Sequence, residues 1–90
     1  MAKKRERSDI FLDMLISIQE KGGKIKPTHL MYRANLAHNQ MTKYLEELVE
    51  KNFVKKIDVN NYNYLTITEM GLKFIEKMRE MKEFERTFGL

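Results

Sequence analysis

Between Pro27 and Val54 the chain reads PTHLMYRANLAHNQMTKYLEELVEKNFV, and few folds accommodate that stretch. A short helical segment, a compact break and a longer amphipathic segment predict helix, tight turn and helix, followed by the first residues of a strand. Pro27 suits the first position of the shorter helix, which carries Leu30 and Met31 inward and runs to about Ala34. Asn35-Leu36-Ala37 is the turn, with Leu36 as its apolar plug. The longer helix is expected from about His38 to Lys51. Met41, Tyr44, Leu45 and Leu48 share one of its faces. The opposite face carries Asn39, Lys43, Glu46 and Glu50, flanked by Gln40, Thr42 and Glu47. Asn52 stands where a left-handed residue should stop the helix, a conformation asparagine tolerates.

The flanking segments complete a pattern of three helices, two strands and a helix. Ser8 is expected to cap the first helix, with Asp9 in its first turn. Phe11, Met14, Leu15 and Ile18 recur at helical spacing, and Gly22-Gly23 ends the run. Lys24-Ile25-Lys26 is extended and suits a short edge strand. Two β-rich runs, 53–59 and 62–67, flank Asn60-Asn61, which predicts a hairpin whose asparagines take positive φ. Leu65 and Ile67 alternate with Tyr64 and Thr66, so one face is buried and the other partly open. Thr68 caps the last helix, with Glu69 in its first turn. This order predicts a mainly α (α+β) fold: a winged helix-turn-helix with a two-stranded wing and an extended C-terminal helix. It divides into a flexible basic arm (1–7), a winged domain (8–69) and a C-terminal helix (70–90).

Charge is placed unevenly on this frame. No acid occurs between Lys21 and Leu45, a window holding Lys21, Lys24, Lys26, Arg33 and Lys43, with His29 and His38 besides. Its formal charge is +5, against +4 for all 90 residues. A basic helix-turn-helix in an otherwise near-neutral chain is suited to phosphates. The chain has no cysteine, so disulfides and thiolate chemistry are excluded. Two isolated histidines do not make a metal-ligand pattern, and no cofactor is expected. Neither a phosphate-cradling glycine loop nor a nucleophile arrangement is visible, so an enzyme is not expected. Apolar runs are too short to span a membrane, and the basic start MAKKRER lacks the apolar region of a secretory signal, so the expected location is cytoplasmic and nucleoid-associated.

A helix of this kind enters the major groove with its N-terminal residues nearest the base edges. Asn39, Gln40 and Lys43 are therefore the main candidates for base contacts, with His38 and Thr42 beside them. Candidates for phosphate contacts are Lys3, Lys4, Arg5 and Arg7 of the arm, then Lys26, Arg33, Lys55 and Lys56, and Asn60 and Asn61 at the hairpin tip. Tyr62 and Tyr64 suit either base stacking or packing across the hairpin. The partner read from these positions is double-stranded DNA. The alternative is a winged-helix adaptor that binds protein through Glu46, Glu47 and Glu50, because the fold alone does not decide function.

In the last helix, Phe74, Met78, Met81, Phe84 and Phe88 are separated by steps of four, three, three and four. That is close to the repeat of a coiled-coil seam. Gly71, Leu72 and Ile75 are expected to pack on the parent domain. The seam residues extend past it, so a second copy of the helix in a homodimer is the expected cover.

Two stretches carry a family likeness. HLMYRANLAHNQMTKYLEELVEKNFV and YLTITEMGLKFIE resemble the small archaeal winged-helix DNA-binding proteins. The resemblance is closest to the chromatin-associated group whose C-terminal helices pair as an antiparallel coiled coil. It rests on Leu30-Met31-Tyr32, Ala34-Asn35-Leu36 and Tyr44-Leu45, and covers most of the chain from Ser8 to about Met81. It implies a winged helix, DNA binding as a transcriptional regulator or architectural protein, and a homodimer. Ala37 departs from the group's usual hydroxyl cap, Asn52 from its usual glycine, and the final helix is shorter.

Overall fold

The computed structural model describes residues 5–90. Its elements are α1 (Arg7–Glu20), β1 (Lys24–Ile25), α2 (Pro27–Arg33), α3 (His38–Glu50), β2 (Val54–Val59), β3 (Tyr62–Ile67) and α4 (Glu69–Thr87). The strands form one antiparallel sheet in the order β1-β3-β2. This is the winged helix-turn-helix arrangement expected from the sequence. The short edge strand does pair: Ile25 lies opposite Leu65, so the sheet has three strands where the wing alone has two.

All four helices of the described residues end in the same way. The residue after each C-cap takes a positive φ: Gly22 at 81°, Asn35 at 56°, Asn52 at 62° and Gly89 at 70°. The next amide then donates back five residues, as from Gly23 to the Ile18 carbonyl at 2.9 Å and from Phe53 to the Leu48 carbonyl at 2.9 Å. These bonds satisfy carbonyls that a helix end otherwise leaves unpaired. The hairpin uses the same property of asparagine, with Asn60 and Asn61 at φ 52° and 68°, the two successive positive values that a tight turn between twisted strands demands.

Helix starts differ more from expectation. α1 begins at Arg7 with Glu6 as its cap, and the Glu6 N–H donates to Asp9 Oδ2 at 3.3 Å. Ser8, the expected cap, lies inside the first turn. At α3 the cap residue Ala37 has no polar side chain. Gln40 supplies the reciprocal half of a capping box, its Oε1 accepting the Ala37 N–H at 3.0 Å, and the Gln40 N–H that a cap hydroxyl would accept goes instead to Asn39 Oδ1 at 3.1 Å. Thr68 caps α4 as expected, accepting the Gly71 N–H at 3.1 Å and donating to the Asn52 carbonyl at 2.6 Å.

The core gathers Met14, Leu15 and Ile18 of α1, Leu30 of α2, Leu48 of α3, Val54 and Leu65 of the sheet and Ile75 of α4, all buried. Tyr44 sits at its edge, its ring perpendicular to Phe11 with centroids 5.9 Å apart. α4 enters this core through its first half. Gly71 is buried, and Phe74 packs against Phe53 with ring centroids 5.1 Å apart. Met78 is only 8% exposed and belongs to the same cluster. Leu72, expected to pack inward, is 41% exposed, because it falls on the solvent side of the turn that Gly71 and Ile75 bury. Lys82 pairs with Asp9 of α1 at 3.2 Å. Along the end of the helix Met81, Phe84 and Phe88 are 48%, 57% and 66% exposed. The apolar spacing from Phe74 to Phe88 is therefore divided. Phe74 and Met78 pack within this chain, and the expected seam narrows to Met81, Phe84 and Phe88. Among the described residues no helix is long and apolar enough to cross a membrane.

Candidate nucleic-acid interface

α2, the left-handed turn at Asn35 and α3 present the first two turns of α3 to solvent. Leu36 closes the turn from below, and Met41 and Leu45 fasten α3 to the core. With those positions inward, helical geometry turns His38, Asn39, Thr42 and Lys43 outward. All four are exposed. Asn39 and Lys43 are one turn apart, about 6 Å along the axis. No acid stands among them; the next outward residue is Glu46.

Local bonds sort the five base-edge candidates. Asn39 Oδ1 accepts the Gln40 N–H at 3.1 Å, which leaves its NH2 group outward. Gln40 is committed to the cap of α3 through the Ala37 amide. Thr42 Oγ1 donates to the His38 carbonyl at 3.1 Å. The Lys43 ammonium lies 5.7 Å from the Tyr44 ring centroid. In this conformation the outward donors are therefore His38, the Asn39 amide and Lys43. Gln40 Oε1 is held at the cap, so Gln40 can offer only its NH2 group, as Asn39 does, and accepts from a base only by leaving the cap.

The basic candidates divide in the same manner. Lys56 shares a pocket of about 260 Å³ with His38, Thr42 and Glu46 at its rim and Met31, Met41 and Leu45 below. It thus flanks α3 on the helix side of the sheet. Lys55 points to the other face, as strand alternation requires. Asn60 and Asn61 form the exposed tip of the hairpin. Arg33 pairs with Glu20 at 3.3 Å, a partly solvated contact. Lys26 stands over Tyr62 at 5.1 Å from the ring centroid.

Lys3 and Lys4 lie outside the described residues. Arg5 and Arg7, expected in a flexible arm, are both engaged within the domain. Arg5 donates to the Ala34 and Asn35 carbonyls at 3.0 and 3.2 Å and pairs with Asp13 at 3.0 Å. It thus bridges α1 to the end of α2, where cations complement the helix dipole. Arg7 pairs with Glu47 at 2.7 Å and covers the Phe11 ring at 5.2 Å. The Arg5 bridge was not visible in the sequence, because its partners are backbone carbonyls of the turn. Neither was the placement of Lys24 over Tyr64 at 4.8 Å. The alternation Lys-Ile-Lys beside Tyr-Asn-Tyr is the signal that could have revealed it. The described residues hold no cluster of His, Cys, Asp or Glu suited to a metal ion.

Comparison with known proteins places the chain. An uncharacterized protein of Methanocaldococcus jannaschii is 34% identical over 80 residues, covering 89% of this chain and 76% of that one. A riboflavin kinase of Pyrococcus furiosus is 32% identical over 74 residues, a match to 77% of this chain but only 35% of that protein. Among solved structures, Sso10a-2, a DNA-binding protein from Sulfolobus solfataricus, is similar with a TM-score of 0.80 at 23% identity, over 93% of this chain and 85% of that one. The family model for the winged helix-turn-helix matches residues 4–86, nearly the whole chain, and the protein belongs to that family.

Proposed function

We propose that this protein binds double-stranded DNA, with the N-terminal half of α3 in the major groove and the wing along the backbone. One observation carries the reading: six successive residues, His38 to Lys43, are free of acids and put His38, the Asn39 amide and Lys43 on the open surface of α3. Asn39 and Lys43 supply the donors that read base edges. Lys56, the Asn60-Asn61 tip, Lys3 and Lys4 are the proposed phosphate contacts, together with Arg33 where it releases Glu20. The similar Sso10a-2 is itself a DNA-binding protein.

A homodimer belongs to this reading. Met81, Phe84 and Phe88 form an exposed apolar strip at the end of α4, and the Phe84 and Phe88 rings lie 4.8 Å apart. Pairing with a second α4 covers that strip and joins two α3 helices into one unit able to meet two half-sites. The same geometry serves a regulator of palindromic sites and an architectural protein that bridges duplexes. Both roles belong in the cytoplasm on the nucleoid, and neither needs a cofactor or catalysis. The adaptor reading loses support at Glu47, which Arg7 already occupies.

Fluorescence anisotropy of a labelled random-sequence duplex, titrated across a salt series, tests the proposal. Affinity that falls log-linearly with salt is expected, with a slope that estimates the phosphates contacted. Absence of binding at low salt overturns a general DNA-binding role.

A further inference from the structure

The outer face of the sheet, turned away from the helices, has no part in that reading. Strand register decides what it carries. Val59 lies opposite Tyr62, Ile57 opposite Tyr64 and Lys55 opposite Thr66, and Lys24 joins them opposite Thr66 from β1. Facing pairs share a side of the sheet. The core side takes Ile25, Val54 and Leu65. The one acid within the strands, Asp58, pairs with Asn63 on that same side, so the charged strand residues of the outer face are all lysines.

Two tyrosines stand on this face along the central strand β3, spaced by about 6.6 Å. Tyr62, beside the hairpin turn, is 60% exposed, and Tyr64 is half-buried. Each ring has an ammonium over one face, Lys24 at 4.8 Å from the Tyr64 centroid and Lys26 at 5.1 Å from the Tyr62 centroid; a base that stacks there displaces the lysine, which is then free to meet the phosphate. At the foot of the strand, Lys55 and Thr66 line a hollow of about 450 Å³ with Thr68, Met70, Lys73 and Glu69. Aromatic rings in series with a cation at each ring match the repeat of a single strand, one base and one phosphate at a time. Bases in a duplex are hidden in their own stack and offer no face to a tyrosine. Unpaired bases do, and stacking on aromatic side chains is how sheet surfaces hold them.

We infer that the outer face of the sheet binds single-stranded DNA, with Tyr62 and Tyr64 stacking on bases and Lys24, Lys26 and Lys55 meeting the phosphates. The choice of DNA rests on the duplex-binding reading. A domain holding duplex through α3 presents any strand opened nearby to its other face at high effective concentration. The two sites lie on opposite sides of one sheet, and Lys26 and Lys55, expected from the sequence on duplex phosphates, fall on this face instead.

Full-length protein is titrated into labelled oligothymidylate, oligouridylate and a duplex, each at low salt. Tyr62→Ala with Tyr64→Ala is expected to weaken oligothymidylate binding by about tenfold or more, from the usual worth of a base–aromatic stack, and to leave the duplex affinity unchanged. Tyr62→Phe with Tyr64→Phe keeps the stacking surface and is expected to bind oligothymidylate as wild type does. Asn39→Ala with Lys43→Ala is expected to lose duplex and keep oligothymidylate, so failure of the duplex reading is seen separately. The inference is overturned if wild type does not bind oligothymidylate, if it binds oligouridylate alone, or if the alanine pair, folded by circular dichroism, binds oligothymidylate like wild type.

Discussion

At the residue scale, backbone demands were more legible than side-chain roles. Asn52, Asn60 and Asn61 stand where the pattern required positive φ, and each adopts it. Gln40 was harder. It was expected at a base edge, yet it accepts the Ala37 amide. A capping box is recognised by a hydroxyl residue at its start, and alanine there hides it. Gly71 shows a steric demand that no periodicity reveals. A Cβ at this position would lie 2.5 Å from the Phe53 carbonyl oxygen and 2.8 Å from Ile67 Cγ1. In an open helix, glycine to alanine gains roughly 1 kcal/mol. Here the clash is with backbone, so Gly71→Ala is expected to destabilise by about 1–3 kcal/mol, the usual range for overpacking. Urea denaturation decides the matter, because a gain in stability would mean that α4 does not approach β2 so closely.

At the element scale, the hairpin, the edge strand and all four helices were legible, since each is bounded by glycine, asparagine or a cap. What periodicity leaves open is which turns of a helix meet their own domain. The spacing from Phe74 to Phe88 is continuous, but the structure buries Met78 and exposes Phe84. The change falls where α4 passes the start of α1, at the Lys82–Asp9 pair. If the proposed dimer forms through this strip, lysine substitutions at Phe84 and Phe88 are expected to convert it into a folded monomer in sedimentation equilibrium, and a wild type that sediments as a monomer contradicts the dimer. The thermal transition of that monomer should remain cooperative, because neither ring contributes to the core. Dimers that persist in the double variant would place the interface elsewhere. The basic arm was the least legible element. A run of cations reads as solvated, and only the folded chain shows Arg5 held by the Ala34 and Asn35 carbonyls.

At the scale of the whole molecule, the sheet separates two surfaces of different chemistry. On one side α3, Lys56 and the wing tip form a polar surface whose His38–Lys43 end carries no acid. On the other, two tyrosines stand beside lysines from β1 and the residue following it. The net charge of +4 conveys neither surface, because it is the small remainder of 17 bases and 13 acids, several of them paired with one another. The charge gap from Lys21 to Leu45 was the legible clue to the first surface, although two of its bases, Lys24 and Lys26, lie on the second. The second depended on strand register, which sequence alternation suggests but only pairing fixes.

The central claim, that α3 is the duplex-binding surface, is tested most directly by residue-resolved NMR. Amide chemical shifts of the labelled protein are followed as a short duplex is added. The account expects the largest changes from His38 to Lys43, with smaller ones at Lys56 and the Asn60-Asn61 tip. Changes confined to α4 or to the Glu46–Glu50 end of α3, with the His38–Lys43 amides still, would contradict it.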